Sequence, residues 1–199
     1  FDIHGGGIDL RFPHHENEQA QSHAAGLGFA QYWLHNGWVT VRGEKMGKSL
    51  GNALEVSALT RTYAPLTIRY FLTAAHYRSM IEYHEGSLEE AGAAVERIEG
   101  FLRRALPDET TLEADPTVAI PDDFAASMDD DLGVAGALAV VHEHVRRGNI
   151  ALDDGDREEA AVIARTVVAM TDVLGLNPLS ATWGRGAGST DHELVDALD

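Results

Sequence analysis

From Ser57 onward, apolar residues recur every third or fourth position, the spacing that gathers them on one side of an α-helix. Pro65 can open a helix carrying Ile68, Phe71, Leu72 and Ala75 together. Ser87 and Glu90 have capping-box spacing, ahead of a seam formed by Leu88, Ala91, Val95, Ile98 and Leu102. Residues 107–121 are polar, acidic and bounded by prolines, and read as a linker. The spacing then predicts a helix over 122–147 that buries Phe124, Met128, Leu132, Leu138, Val141 and Val145. A further helix is predicted over 156–174, stopped by Gly175. The Gly- and Ser-rich tail from Ser180 is expected to be loose.

The first 56 residues lack this periodicity and are rich in glycine, histidine and aromatic residues. Gly5-Gly6-Gly7 suits a tight turn or a close backbone approach to a ligand. Pro13 fits the first position of a helix over about 13–27, with Gly26 and Gly28 placed to end it. Residues 38–41 resemble a short buried strand, followed by a turn at Arg42-Gly43. The expected fold is therefore α/β followed by all-α, with too few strands here to close a sheet. The boundaries fall at 1–56 for the α/β part, 57–83 for a connecting helical region and 84–199 for a helical bundle.

Composition sharpens this in three places. With no cysteine, disulfides and a self-contained thiolate metal site are excluded. No apolar run reaches the roughly 18 residues of a membrane span. The absence of cysteine makes a cytoplasmic home the default, and the start, Phe1-Asp2-Ile3-His4, which carries no methionine or signal core, reads as a fold entered midway. The net charge of −17 is uneven: residues 1–80 carry seven Lys and Arg against six Asp and Glu, whereas 81–199 carry eight against twenty-six. Phosphate binding relies on Lys and Arg, so composition argues against a nucleic-acid partner for the second part.

Three groups of residues could carry chemistry. His14 and Glu18 are four apart in His14-His15-Glu16-Asn17-Glu18 and can share a helical face, which suits two ligands of one zinc ion. The pair equally suits a capped, solvated helix start. Glu44-Lys45-Met46-Gly47-Lys48-Ser49 is a tight basic loop whose two lysines could clamp a polyphosphate, or an ordinary exposed turn. Its glycine spacing does not fit a Walker loop. Gly5-Gly6-Gly7-Ile8-Asp9 joins a bare backbone to a carboxylate able to accept from ribose hydroxyls. Asp129-Asp130-Asp131, His142 and His144 read as solvated surface, and Trp33 and Trp38 as core.

In this order and spacing, the groups resemble one family. Phe1 to Leu10, Phe12 to Glu18, Tyr32-Trp33-Leu34-His35-Asn36-Gly37 and Gly43 to Asn52 resemble the catalytic core of cysteinyl-tRNA synthetases, and the likeness continues loosely through Arg69-Tyr70 and His76-Tyr77-Arg78-Ser79. The resemblance implies a partial Rossmann-like class I core followed by a helical bundle on the anticodon side. It implies ATP-dependent activation of cysteine, with Mg2+, and transfer to tRNA(Cys). It places a zinc ion on His14 and Glu18, with two cysteine ligands upstream of Phe1. Lys45 and Lys48 match the KMSKS loop, and Lys48 would contact ATP phosphates. Asp9 looks like the ribose acid, Gly7 lies where the nucleotide approaches, and the Trp38-Val39 backbone lies where adenine is read. His4 falls in the cluster near the substrate carboxyl. Gly47 departs from the usual serine.

The implied partners are tRNA(Cys), cysteine and ATP, with no membrane and a monomeric state. The upstream half of the site is expected to be missing, which would leave this polypeptide inactive alone. The nearest rival is a related ligase joining cysteine to glucosaminyl-inositol for mycothiol; Glu18 and Asn36-Gly37-Trp38 favour the synthetase. A non-catalytic synthetase-like binding protein is disfavoured by retention of His14, Glu18, Lys45 and Lys48. A zinc hydrolase lacks a placed third ligand or general base.

Overall fold

The structure, a computed structural model, describes residues 1–47, 55–109 and 111–183. The chain forms two compact units, Phe1–Glu55 with Ala75–Glu85, and Val56–Ala74 with Gly86–Asp199. The single connecting region expected over 57–83 is instead shared between them.

In the first unit, β1 (Ile3–Gly7) pairs in parallel with β2 (Tyr32–Asn36), in a register running from Ile3 opposite Tyr32 to Gly7 opposite Asn36. The triple glycine therefore lies within a strand, which excludes the tight turn but not the close backbone approach that was its other expected use. Between the strands runs α1 (Glu16–Ala24). It is shorter than predicted at both ends. Phe12 is extended (φ −139°, ψ 133°), so Arg11–His15 forms irregular turns before the helix settles. At the other end, Gly26 takes φ +76° and returns its N–H to the His23 carbonyl.

A second sheet has β3 (Val39–Val41) at its centre, antiparallel to β4 (Glu44–Lys45) and parallel to β5 (Ile81–Tyr83). The predicted turn is present, with Arg42 and Gly43 both at positive φ as a two-residue hairpin requires. Glu82 on β5 fastens this hairpin: its carboxylate accepts from the buried Thr40 hydroxyl and from the Gly43 N–H (3.0 Å). Those bonds, Thr40's foremost, hold the Glu82 carboxyl below its ordinary pKa.

The second unit is helical: α2 (Val56–Leu59), α3 (Pro65–Thr73), α4 (Ser87–Ala105), α5 (Asp122–Asp129), α6 (Val134–Asp153) and α7 (Arg157–Val173). The predicted α4 seam of Leu88, Ala91, Val95, Ile98 and Leu102 is buried throughout. Its capping box is not formed. Gly86, at φ +97°, starts the helix and accepts from the Glu90 N–H, while Ser87 is buried in the first turn.

The helix predicted over 122–147 is two helices. Asp131 and Leu132 adopt positive φ, and Leu132 is 46% exposed where burial was expected. Short acidic side chains compete for backbone hydrogen bonds, and Gly133 lets the chain turn before α6 begins. The helix over 156–174 is found as predicted: Asp156 caps α7 by accepting from the Glu159 N–H (3.0 Å), and Gly175 follows its end at φ +64°.

The expected linker is pinned to the core. Leu112 is buried, its N–H donates to the Leu179 carbonyl (2.9 Å), and its carbonyl accepts from Asn177 Nδ2 (2.6 Å). Ser180, expected to begin a loose tail, is buried and donates to Glu113 (3.1 Å). Residues 184–199 of that expected tail lie outside the described residues. Among the described residues, no helix is long and apolar enough to cross a membrane.

Two features set the unit's stability. Phe101 is fully buried, and a Cβ at Gly148 on α6 would stand 2.1 Å from its Cζ. Gly148→Ala is therefore expected to cost about 1–3 kcal/mol, read as a lower urea midpoint with an unchanged slope. His142 Nε2 and the Tyr70 hydroxyl share a hydrogen bond (2.8 Å). Burial, helped by Arg97, lowers the His142 pKa from its ordinary 6.5. Its contribution is thus complete above that ordinary value and is lost as pH falls below it. His142→Gln is expected to flatten the acid limb of a stability-against-pH curve below about pH 6.5.

Candidate active site

The site residues lie on the elements that β1 brings together. A Cβ on Gly6 would stand 2.9 Å from His15 Cε1, so the missing side chain at this position of β1 is what admits the His15 ring. The irregular turns before α1 deliver that ring, and it is only 4% exposed. His15 Nδ1 lies 3.0 Å from His35 Nε2 on β2, and the His4 and His15 rings meet edge to face at 4.6 Å. Burial lowers the His15 pKa, and the neighbouring His4 adds to the effect. A neutral ring keeps one nitrogen lone pair for a donor or a metal.

Glu18 faces these rings from the first turn of α1. Its Oε2 is 3.0 Å from His4 Nε2, and its Oε1 is 3.2 Å from His14 Nε2. Despite that approach, Oε2 is buried and accepts no hydrogen bond. An uncompensated buried carboxylate oxygen is costly, and a cation would relieve it. One ligand atom from each of His4, His15 and Glu18 lies within 4.8 Å of the others. Their imidazole and carboxylate donors fit zinc.

The predicted pair is thus brought together, but His14 is 60% exposed at its side chain and His15 holds the interior position. His15 went unassigned in the sequence, although its three-residue spacing from Glu18 also places the two on one helical face. His35 carries no local signal, because only the parallel register of β1 and β2 brings it into reach.

A second group sits around Asp9, in the single turn after β1. Trp38 Nε1 donates to Asp9 Oδ1 (3.0 Å), and Lys45 Nζ donates to Asp9 Oδ2 (2.6 Å). The ammonium also lies 4.7 Å from the Trp38 ring centre. Lys45 above all, then Trp38, holds the Asp9 carboxyl below its ordinary pKa. A Cβ on Gly7 would stand 2.5 Å from Asp9 Oδ1. The Trp38 and Val39 carbonyls accept from the Ile81 and Met46 N–H groups at 2.8 and 2.9 Å. Trp38, expected as core, is only partly buried and uses its indole N–H. Lys48 lies outside the described residues.

The chain as a whole is similar to known proteins. Residues 1–93 match the family described as tRNA synthetases class I (C) catalytic domain, and residues 123–178 match the DALR domain. The chain is 53% identical over 206 residues to the cysteine--tRNA ligase of Clavibacter sepedonicus, covering all of this chain and 43% of that protein. It is 54% identical over 202 residues to the cysteine--tRNA ligase of Leifsonia xyli subsp. xyli, covering all of this chain and 42% of that protein. The chain thus spans less than half the length of these relatives.

Among solved structures, it superposes on an Agrobacterium radiobacter K84 LeuRS–tRNA–LeuAMS complex with a TM-score of 0.62 at 17% identity, covering 88% of this chain and 25% of that one. Against Mycobacterium tuberculosis methionyl-tRNA synthetase with methionyl-adenylate the TM-score is 0.54 at 19% identity, covering 88% of this chain and 40% of that one. Both likenesses are of fold alone; the class I synthetase catalytic domain and the DALR helical domain come from the family matches.

Lys45→Met removes the foremost cause of the depressed Asp9 pKa. The Asp9 value is expected to rise toward the ordinary carboxylate range, read by NMR titration of its side-chain carboxyl carbon.

Proposed function

This chain belongs to the cysteinyl-tRNA synthetases, and we propose that the protein carrying it activates cysteine with ATP and transfers it to tRNA(Cys). The observation that supports this most is the buried Glu18 Oε2, which accepts no hydrogen bond although His4 Nε2 stands 3.0 Å away and the His15 ring lies beside it. The resemblance to the family makes His14 and Glu18 the zinc ligands, and the His4 and His15 atoms gathered around the Glu18 carboxylate would line the ion beside that pair. The family's two cysteine ligands are not in this chain, which has no cysteine. Zinc at this position would take the substrate thiolate, a contact that serine's hydroxyl matches poorly.

The other residues serve ATP, with its Mg2+. Asp9 accepts from the ribose, the Gly7 backbone lets the nucleotide approach, and the Val39 backbone borders the adenine. Lys45 and Lys48 neutralise charge on the phosphates as pyrophosphate departs. His4 stands near the reacting carboxyl. The setting is cytoplasmic and the protein acts as a monomer.

The acidic second unit raises the question of how RNA is held. Arg97, Arg104 and Arg146 line one groove of about 810 Å³ with Asn149 and His142. Arg97 and Arg104 are seven residues apart on α4, two turns along one face. Glu96 also lines the groove and Glu143 holds the Arg146 guanidinium (2.6 Å), so the support for tRNA contact comes chiefly from Arg97 and Arg104.

The test offers radiolabelled cysteine and ATP to the whole protein, with tRNA and glucosaminyl-inositol as separate acceptors. Label on tRNA is expected. Label on the amino sugar would make the protein a mycothiol-pathway ligase, and label on neither would make it non-catalytic. Metal analysis is expected to show zinc bound at least about tenfold more weakly in the His14→Ala, Glu18→Ala double variant. Unchanged zinc content there would sink the metal assignment. Each of Arg97→Ala and Arg104→Ala is expected to lower the salt slope of tRNA binding by about one.

A further inference from the structure

Asp9 has two carboxylate oxygens, and both are taken. Trp38 holds Oδ1 through its indole N–H, and Lys45 holds Oδ2. The two partners differ in what they can do next. Lys45 is a long, flexible, half-exposed side chain on a two-residue strand, close to the hairpin turn. Trp38 is a stiff, partly buried ring at the start of β3, its carbonyl locked to Ile81. A ligand can draw the lysine away. The indole stays.

The geometry points to Trp38 as a positioning residue for nucleotide binding, which keeps Asp9 aimed at the ribose after Lys45 leaves for the phosphates. This rests on the reading of Asp9 and Lys45 as ATP-binding groups. Before ATP binds, Lys45 satisfies the oxygen that the ribose hydroxyl will use, and its charge rests on the Trp38 ring. When the phosphates take the ammonium, Oδ2 is freed for the hydroxyl. The lysine's move and the exposure of the ribose acceptor are one exchange. Without the indole N–H, the released carboxylate would rotate, and the hydroxyl contact would weaken. An Asp9 oxygen close to the Gly7 backbone leaves little room for a compensating shift.

The experiment uses the whole protein and cysteine-dependent ATP–pyrophosphate exchange. ATP, 2′-deoxy-ATP and 3′-deoxy-ATP are compared in wild type, Trp38→Phe and Trp38→Tyr. Phenylalanine keeps a ring for Lys45 and removes the donor. The expected result for Trp38→Phe is a KM for ATP raised about tenfold with kcat within about twofold. Its preference for ATP over the deoxy analogue that wild type rejects should shrink by a similar factor. Equal losses with ATP and both analogues would mean a merely structural role and overturn the proposal, as would no loss at all.

A second readout addresses the exchange itself: ATP alone should change the tryptophan fluorescence of wild type. That change should be absent from Trp38→Phe and Trp38→Tyr alike, since neither carries the indole, while unchanged circular dichroism shows that both variants are folded. An identical change in all three proteins overturns the exchange. The two readings fail differently. Wild type without cysteine-dependent exchange sinks the proposed function and this inference together. An active wild type whose nucleotide preference survives in Trp38→Phe sinks this inference alone.

Discussion

The near-contact between the His15 ring and strand β1 is the constraint on which the catalytic unit depends. A ring can lie that close only where the strand offers no side chain, and Gly6 meets the condition. Once it is met, His15 is excluded from water, its pKa is pushed down by that burial, and it reaches His35 on the neighbouring strand. The same packing fixes the first turn of α1, which carries Glu18 into the group of imidazoles. The parallel register of β1 and β2 then places His4 and His35 on either side. Removing water from this corner makes its polar atoms expensive to leave unpaired, and the lone Glu18 oxygen is the residual cost.

The helical unit was the more legible part of the sequence. An amphipathic helix repeats its signal every turn, so Leu88 through Leu102 and the span of α7 could be read without tertiary information. The failures there came from single positions. Gly86 outcompeted Ser87 as the start of α4 because a left-handed entry suits glycine, and Asp131 and Leu132 broke a periodic pattern that spacing alone would continue. Leu112 shows a different limit. One apolar residue in a polar stretch has no period, yet it is enough to hold the stretch against Asn177 and Leu179.

The site was legible where its residues are neighbours in sequence. His14 and Glu18 share a face by spacing, and Asp9 follows its glycines directly. What could not be read were pairings made across the chain: His15 with His35, and Asp9 with Trp38 and Lys45. A glycine run within a parallel strand also looks like a turn, because pairing with Tyr32–Asn36 is decided some thirty residues away. The family resemblance supplied roles for several of these residues, but not the contacts that hold them in place.

The chain passes from one compact unit to the other three times, because Val56–Ala74 belongs with the helices while Ala75–Glu85 returns to the sheet beside β3. β5 is thus supplied to the catalytic unit only after α3 has been laid into the other one. No single cut in the backbone yields two intact pieces. Recombination that swaps domains by joining whole segments end to end would strand β5 on the wrong side, so the two units are bound to be inherited, and engineered, as one.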